Sequence, residues 1–344
     1  MSVEAFLDDT PGEVRGIVSR DGRFQHLLVQ RDEGVPGHRL GARSIGRIVD
    51  VQPGLKGAFV DLGADPPSGF LPFRGPNPLA VGQKVEVEVV AEPRERKGPS
   101  LRLIGPGQGD PRLLVEGPTV ADTLARLAPG VAVITGLAAI EAGLEAEEEA
   151  VAAGQIFPDI GLDLRVERTR ALVAVDLDLS AVPGVSSGAP ARARANRQGL
   201  AEAARSIRLK RWGGLLAIDL IGVGHDGEAI LGAARQAFGM DPDVAFGPVN
   251  RFGVLQLSLP WRLTPLEEIL NGSGGLRRPE QRAQDVVRAL RARLLSDTTT
   301  PRVRARCAPV EAGLAASGVA KLGPRADLVA DAALAPGAFV LESV

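Results

Sequence analysis

Carboxylates near the ends of two apolar stretches are the residues of this chain best suited to chemistry. "ALVAVDLDLS" (171–180) carries Asp176 and Asp178, and "LLAIDLIGV" (215–223) carries Asp219. One use of such a carboxylate is to cap the turn that follows its strand. The other is to hold charge at a sheet edge. Between the two stretches, "NRQGLAEAARSIRLK" (196–210) spaces Leu200, Ala203, Ala204 and Ile207 along one helix face, and Gly213-Gly214 is expected to end that helix. A helix of this length returns the second strand beside the first. Asp176 and Asp219 are then expected on neighbouring strands, which lie about 4.8 Å apart. Two carboxylates that close need a cation between them, or one must keep a proton. Mg²⁺ takes one or two carboxylates plus water and phosphate oxygens, an arrangement suited to metal-assisted phosphodiester cleavage.

The same helix is basic. Arg192, Arg194, Arg197, Arg205, Arg208, Lys210 and Arg211 face only Glu202, while Glu141, Glu145, Glu147, Glu148 and Glu149 form an acidic run upstream. A basic face can meet a polynucleotide backbone, with Arg197, Arg208, Lys210 and Arg211 as candidates. An ordinary solvated helix face accounts for the same pattern. The three histidines, His26, His38 and His225, are too few and scattered for a histidine metal cage, and no G-x-S-x-G elbow is present. His225 reads as a loop residue or an accessory group near Asp219.

Composition narrows the classes further. The formal net charge of −2 over 344 residues excludes a generally basic coat. Aromatics are 3% with no Tyr, so any base-stacking surface rests on a few Phe or Trp. Cys307 is the single cysteine, which excludes an internal disulfide and a multi-cysteine zinc site. No apolar run approaches the roughly 18 residues of a membrane helix, and the acidic N-terminus lacks a signal core. A cytoplasmic protein without membrane contact is expected.

The pattern along the chain is α/β overall. Residues 13–31 alternate around Asp21-Gly22 as a β-hairpin. Between Gly46 and Leu103, five short strands with Pro-Gly punctuation suggest a small closed barrel of oligonucleotide-binding type. Two helical pieces follow in 117–154, then strands at "LDLRVERT" and "ALVAVDLDL", the basic helix, "LLAIDLIGV", a helix at 227–238, and strands at "FGPVNRF" and "GVLQLSL". "NGSGGLRRP" (271–279) reads as a linker before a separate small α/β unit at 280–344.

In this order the parts resemble the ribonuclease E/G family of bacterial endoribonucleases. "GRIVDVQPGLKGAFVDLGADPPSGFLPF" is similar to the family's embedded RNA-binding barrel, and "ERTRALVAVDLDLS" to its first metal-aspartate strand. "ANRQGLAEAARSIRLKRWGGLLAIDLIGV" is similar to its helix and second metal-aspartate strand, and "NRFGVLQLSLPWRLTPLEEIL" to the segment closing the nuclease domain. The resemblance implies an RNase H-like domain (1–36 with 108–160) interrupted by an OB-fold barrel (37–107). A DNase I-like catalytic domain (161–270) would follow, then the linker and the C-terminal domain. It implies Asp176 and Asp219 as Mg²⁺ ligands, with Mn²⁺ as a substitute, and Asp178, where the family has Asn, as a further candidate ligand. It implies Phe59 and Phe70 as exposed barrel aromatics for base stacking, although Phe59 read alone suits a barrel core. Lys97 and Arg251 stand as phosphate contacts. The implied activity is cleavage of single-stranded RNA to 5′-phosphate and 3′-hydroxyl ends.

The chain departs from the family pattern in several places. No segment resembles the pocket that senses a 5′-monophosphate, and the zinc-link cysteines are missing. No zinc site is expected, so a homo-oligomer would not be zinc-bridged. Gly222 stands where the family has a second Asp, and Ser44-Ile45 replace an aromatic-lysine pair. A non-catalytic RNA-binding paralogue with a degenerate metal site, or a barrel that binds sugar or protein, are the alternatives.

Overall fold

Asp21 and Gly22 both take positive φ, 49° and 74°, as a two-residue hairpin turn requires. They join strand β2 (Glu13–Arg20) to β3 (Arg23–Arg31), and β1 (Val3–Asp8) pairs with β2 on the other side. The computed structural model describes residues 2–64, 66–73, 75, 79–179, 188–272 and 275–344. Part of the expected "ADPPS" turn (Asp65) and of the 271–279 linker (Ser273 and Gly274) lie outside the described residues. The protein is a mixed α+β chain with seven α-helices and four sheets among the described residues. No helix among them is long and apolar enough to cross a membrane. The chain falls into two units, Met1–Glu147 with Leu266–Val344, and Glu148–Pro265.

In the first unit the five expected strands are β4 (Arg43–Gln52), β5 (Gly57–Asp61), β6 (Gly69–Pro72), β7 (Lys84–Ala91) and β8 (Ser100–Pro106). They pair in the order β4-β5-β6-β8-β7 and back to β4, a closed barrel. Strict alternation in "KVEVEVVA" turns Val85, Val87 and Val89 inward onto Ile48, Val60, Leu71 and Leu101. Strand β9 (Arg112–Val115) adds to β4 outside the closed ring. Helix α1 (Val120–Leu127) starts at a Thr119–Asp122 capping box. It lies so close to β2 that a Cβ on Gly16 would stand 2.5 Å from Val120. Strand β10 (Val133–Ile134) extends the β1–β3 sheet, and α2 (Leu137–Val151) follows.

The second unit is one six-stranded sheet. In chain order it holds β11 (Gly154–Phe157), β12 (Leu162–Arg168), β13 (Val173–Leu179), helix α3 (Ala189–Lys210), β14 (Gly214–Asp219), helix α4 (Gly227–Phe238), β15 (Ala245–Val249) and β16 (Val254–Leu259). The spatial order is β11-β12-β13-β14-β16-β15. Only β13 and β14 run parallel, and α3 is the crossover between them, as the sequence implies. The sequence boundary at residue 160 falls between β11 and β12, which pair along four residues, so β11 belongs to this sheet. Helix α3 begins at Ala189, well before its apolar periodicity does. It ends with Arg211 in the left-handed conformation, φ 60°, rather than on the glycine pair.

The C-terminal part of the first unit comprises α5 (Leu266–Leu270), α6 (Pro279–Ser296), β17 (Val303–Cys307), α7 (Pro309–Lys321), β18 (Ala326–Ala330) and β19 (Phe339–Ser343). Sequence sets residues 280–344 apart, but they group with residues 1–147. A buried ion network accounts for the difference. Arg288 Nε donates to Asp8 at 2.8 Å, and its Nη2 donates to Glu13 at 2.9 Å. Glu13 also accepts from Arg15 at 2.8 Å and Arg31 at 2.9 Å. Glu147 pairs with Arg15 and Arg277, each at 2.7 Å. Asp8, Glu13, Arg15 and Arg288 are all buried, so α6 cannot leave without stranding charge.

Candidate functional site

Alternation in β13 sends Val173, Val175 and Leu177 into the core and leaves Ala174, Asp176 and Asp178 on the outer face. Strand β14 does the same, with Leu216 and Ile218 inward and Asp219 outward. Their parallel register pairs Asp176 directly with Asp219. On the other side of β13, Arg165 stands opposite Asp176, and Asp163 opposite Asp178. Four aspartates therefore share one open sheet face, crossed by a single arginine that pairs with Asp163 at 3.3 Å. Asp176 is held above the ordinary carboxylate range by partial desolvation, then by the negative charges of Asp178, Asp219 and Asp163, against a smaller pull from Arg165.

This donor set fits a hard divalent cation. It is all oxygen, and its crowding is the electrostatic condition that a bound cation relieves. Among the described residues no group of three or more His, Cys, Asp or Glu converges as a ready-made cage, so the Asp176–Asp219 pair is the element the register defines. Asp178 spends one oxygen accepting from the Leu179 amide at 2.7 Å, a local capping bond. Asp163 was not singled out by sequence. The alternation of "LDLRVER" carries its face, but only the hairpin register brings it opposite Asp178.

The loop after Asp219 is fixed on two sides. Asn196 of α3 accepts from the Ile221 amide at 2.9 Å and donates to its carbonyl at 3.3 Å. Gly222 has φ 83°, and a Cβ there would stand 3.3 Å from the Arg192 side chain. An Asp at this position, where the resemblance leads one to expect it, would need a strained backbone and a small shift of the Arg192 side chain. His225 Nε2 lies 2.8 Å from the Gly222 carbonyl, which makes it a loop-bracing residue. On the other side the Leu220 amide donates to Gly253 at 3.2 Å, tying in the "NRFG" turn between β15 and β16. Arg251 is exposed there, its guanidinium 4.7 Å above the Phe252 ring. Arg192, Asn196, Arg197, His225 and Asp226 line a cleft of 170 Å³ between α3 and α4.

The basic residues of α3 divide by depth. Arg197 is exposed at that cleft, and Arg208 is half-buried. Lys210 and Arg211 are corrections to the sequence reading, since they are only 4% and 7% exposed. Lys210 Nζ donates to the carbonyls of Ala150 and Ala152 at 2.7 and 2.6 Å and lies 5.1 Å from the Trp212 ring centre. Arg205 is likewise buried, donating to Glu202 at 2.7 Å and paired with Glu149 at 2.5 Å. These cations hold the unit together. Lys210→Met is accordingly expected to destabilise the protein by about 2–3 kcal/mol, through two lost charged hydrogen bonds, with no change in the salt dependence of any RNA affinity the chain shows. Arg197→Ala should leave the melting temperature unchanged and, for any RNA the chain binds, reduce the slope of log affinity against log salt by about 1. Thermal melts and salt titrations on both variants separate the two roles.

On the barrel, Phe59 and Phe70 face each other across β5 and β6 with ring centroids 5.5 Å apart at 63°. Their neighbours Ala58, Val60 and Leu71 fill the barrel core, so the two rings lie outside it, half-exposed. Phe70 covers Gly57, where a Cβ would stand 2.1 Å from the ring. Lys97 lies in the turn joining β7 to β8, rather than on a strand, and pairs with Glu95 at 3.6 Å. Ser100, three residues on, is the register partner of Phe70.

No protein-family model matches the chain, and no curated protein matches it.

Proposed function

We propose that this protein is a divalent-cation-dependent endoribonuclease acting on single-stranded RNA, a short and divergent relative of the ribonuclease E/G family. The observation that carries the reading is the pairing of Asp176 with Asp219 on the exposed face of two parallel central strands. In this reading the second unit is the DNase I-like nuclease domain, the barrel is an OB-fold RNA-binding domain within an RNase H-like one, and the setting is the cytoplasm.

Asp176 and Asp219 would hold Mg²⁺, or Mn²⁺ in its place, with Asp178 and Asp163 adding negative field. When bound, the ion supplies Lewis-acid activation of water and of the phosphodiester. Arg165 stands exposed on this face, and Arg197 on α3 and Arg251 in the β15–β16 turn are further exposed cations of the same unit; they would pair with backbone phosphates. Phe59 and Phe70 would take stacked bases on the barrel wall. Incubation with a 5′-labelled single-stranded oligoribonucleotide tests the reading. Cleavage to 5′-phosphate and 3′-hydroxyl ends in millimolar Mg²⁺, stopped by EDTA, is the expected result.

A second reading, an RNA-binding paralogue without catalysis, draws on Gly222 and on the bond that turns Asp178 toward its own strand. Salt-dependent RNA binding with no cleavage in Mg²⁺ or Mn²⁺ would establish it. Absence of both binding and cleavage would remove RNA from the picture.

A further inference from the structure

Phe252 is the only exposed aromatic side chain among the described residues, with 67% of its surface in solvent. A large apolar ring gains nothing for the fold by standing in water, and its backbone is held there firmly. Asn250 accepts from the Phe252 and Val254 amides at 2.9 and 3.1 Å, and its carbonyl accepts from Gly253 at 3.1 Å. Gly253, with φ 86°, presses against the loop that follows Asp219, and a Cβ there would stand 2.9 Å from the Gly222 carbonyl. Val254 is the register partner of Asp219, and Phe252 lies two residues before it in the chain, in the turn that leads into β16. The Arg251 guanidinium covers part of the ring and leaves the rest open.

We propose that Phe252 is a base-stacking platform that positions the nucleotide next to the phosphodiester presented to Asp176 and Asp219. This rests on the reading that the chain acts on single-stranded RNA. A base on the open ring would complete a base–Phe252–Arg251 stack, with the guanidinium charge close to the neighbouring phosphate. Stacking tolerates every base and gains most from the larger purines. Phe252 would thus set a purine preference beside the cleaved bond while taking no part in the chemistry.

The test uses the full chain and a ten-nucleotide single-stranded RNA carrying one 2-aminopurine, with binding and fluorescence read in EDTA. The expected result is strong quenching in the natural protein at one probe position, lost in Phe252→Ala together with roughly tenfold affinity, and restored in Phe252→Trp. Equal quenching and affinity in the natural protein and Phe252→Ala overturn the stacking role and leave the nuclease reading standing. Failure of the natural protein to bind the RNA overturns both. A dimer that Phe252→Ala converts to monomer marks the ring as a protein contact and overturns the proposal. Matching circular dichroism melts show that each variant is folded.

Discussion

Replacement of Arg288 by alanine is expected to destabilise the protein by about 3–5 kcal/mol, the usual cost of stranding a buried partner charge. Domains are typically stable by about 5–15 kcal/mol, so the loss should show as a large drop in denaturant midpoint. The reason is the burial of its partners. Asp8 and Glu13 have no solvent exposure, and Arg288 lies between them. Burial by itself pushes the Glu13 carboxyl upward, but the Arg15, Arg288 and Arg31 guanidiniums overcome it and hold Glu13 at about 2 against an ordinary 4.5. The sign of the pH dependence follows. A folded-state value below the unfolded one contributes stability above about pH 4.5, and the contribution is lost as pH falls toward 2. Arg288→Ala removes part of the depression, so acid unfolding should begin at higher pH. Urea titrations at pH 7 and pH 4 check both points, and a loss below about 1 kcal/mol would show the network to be dispensable.

On the nuclease reading proposed above, Asp219→Asn is expected to lower the cleavage rate by about 10³-fold, the scale of several kcal/mol of lost transition-state stabilisation. Stability should change by less than about 0.5 kcal/mol, because Asp219 is exposed and its strand stays paired on both sides. The pH profile carries a second signature. Asp176 sits above the ordinary carboxylate range, so on that reading a proton would compete with the cation on the acid side, and cleavage should fall as pH drops through that raised value. Asp178→Asn removes one of the repelling charges, which should shift the acid limb to lower pH. For stability the sign is reversed. The raised value gives the cation-free fold an advantage in acid that is lost as pH rises, so adding Mg²⁺ at neutral pH should stabilise the natural protein more than Asp219→Asn. Initial rates and melts across pH 4–8 measure both.

Where periodicity is strict and local, the sequence is readable. "VAVDLDL" and "LLAID" show which residues face the core, and the helix between them implies the parallel pairing that sets Asp176 beside Asp219. The barrel was legible for the same reason, its strands being short, alternating and punctuated by Pro-Gly. The burial of Lys210 is not legible in the sequence because helical spacing cannot reveal partners sixty residues away, and the carbonyls of Ala150 and Ala152 belong to another helix and its exit. Asp163 is not legible as a neighbour of Asp178, because strand register is a property of the hairpin and not of either strand. The alternation of "EVRGIVSR" places Glu13 and Arg15 on one face, which looks like a solvent face until α6 covers it.

The bond between Asp8 and Arg288 spans 280 residues, and it bears on how the chain matures on the ribosome. At roughly 5–20 residues per second, Arg288 emerges about a quarter to a full minute after Asp8. The whole of Glu148–Pro265 is translated in that interval and can close its sheet first. The opening hairpin waits meanwhile, its acidic side chains hydrated, until α6 arrives to seal it.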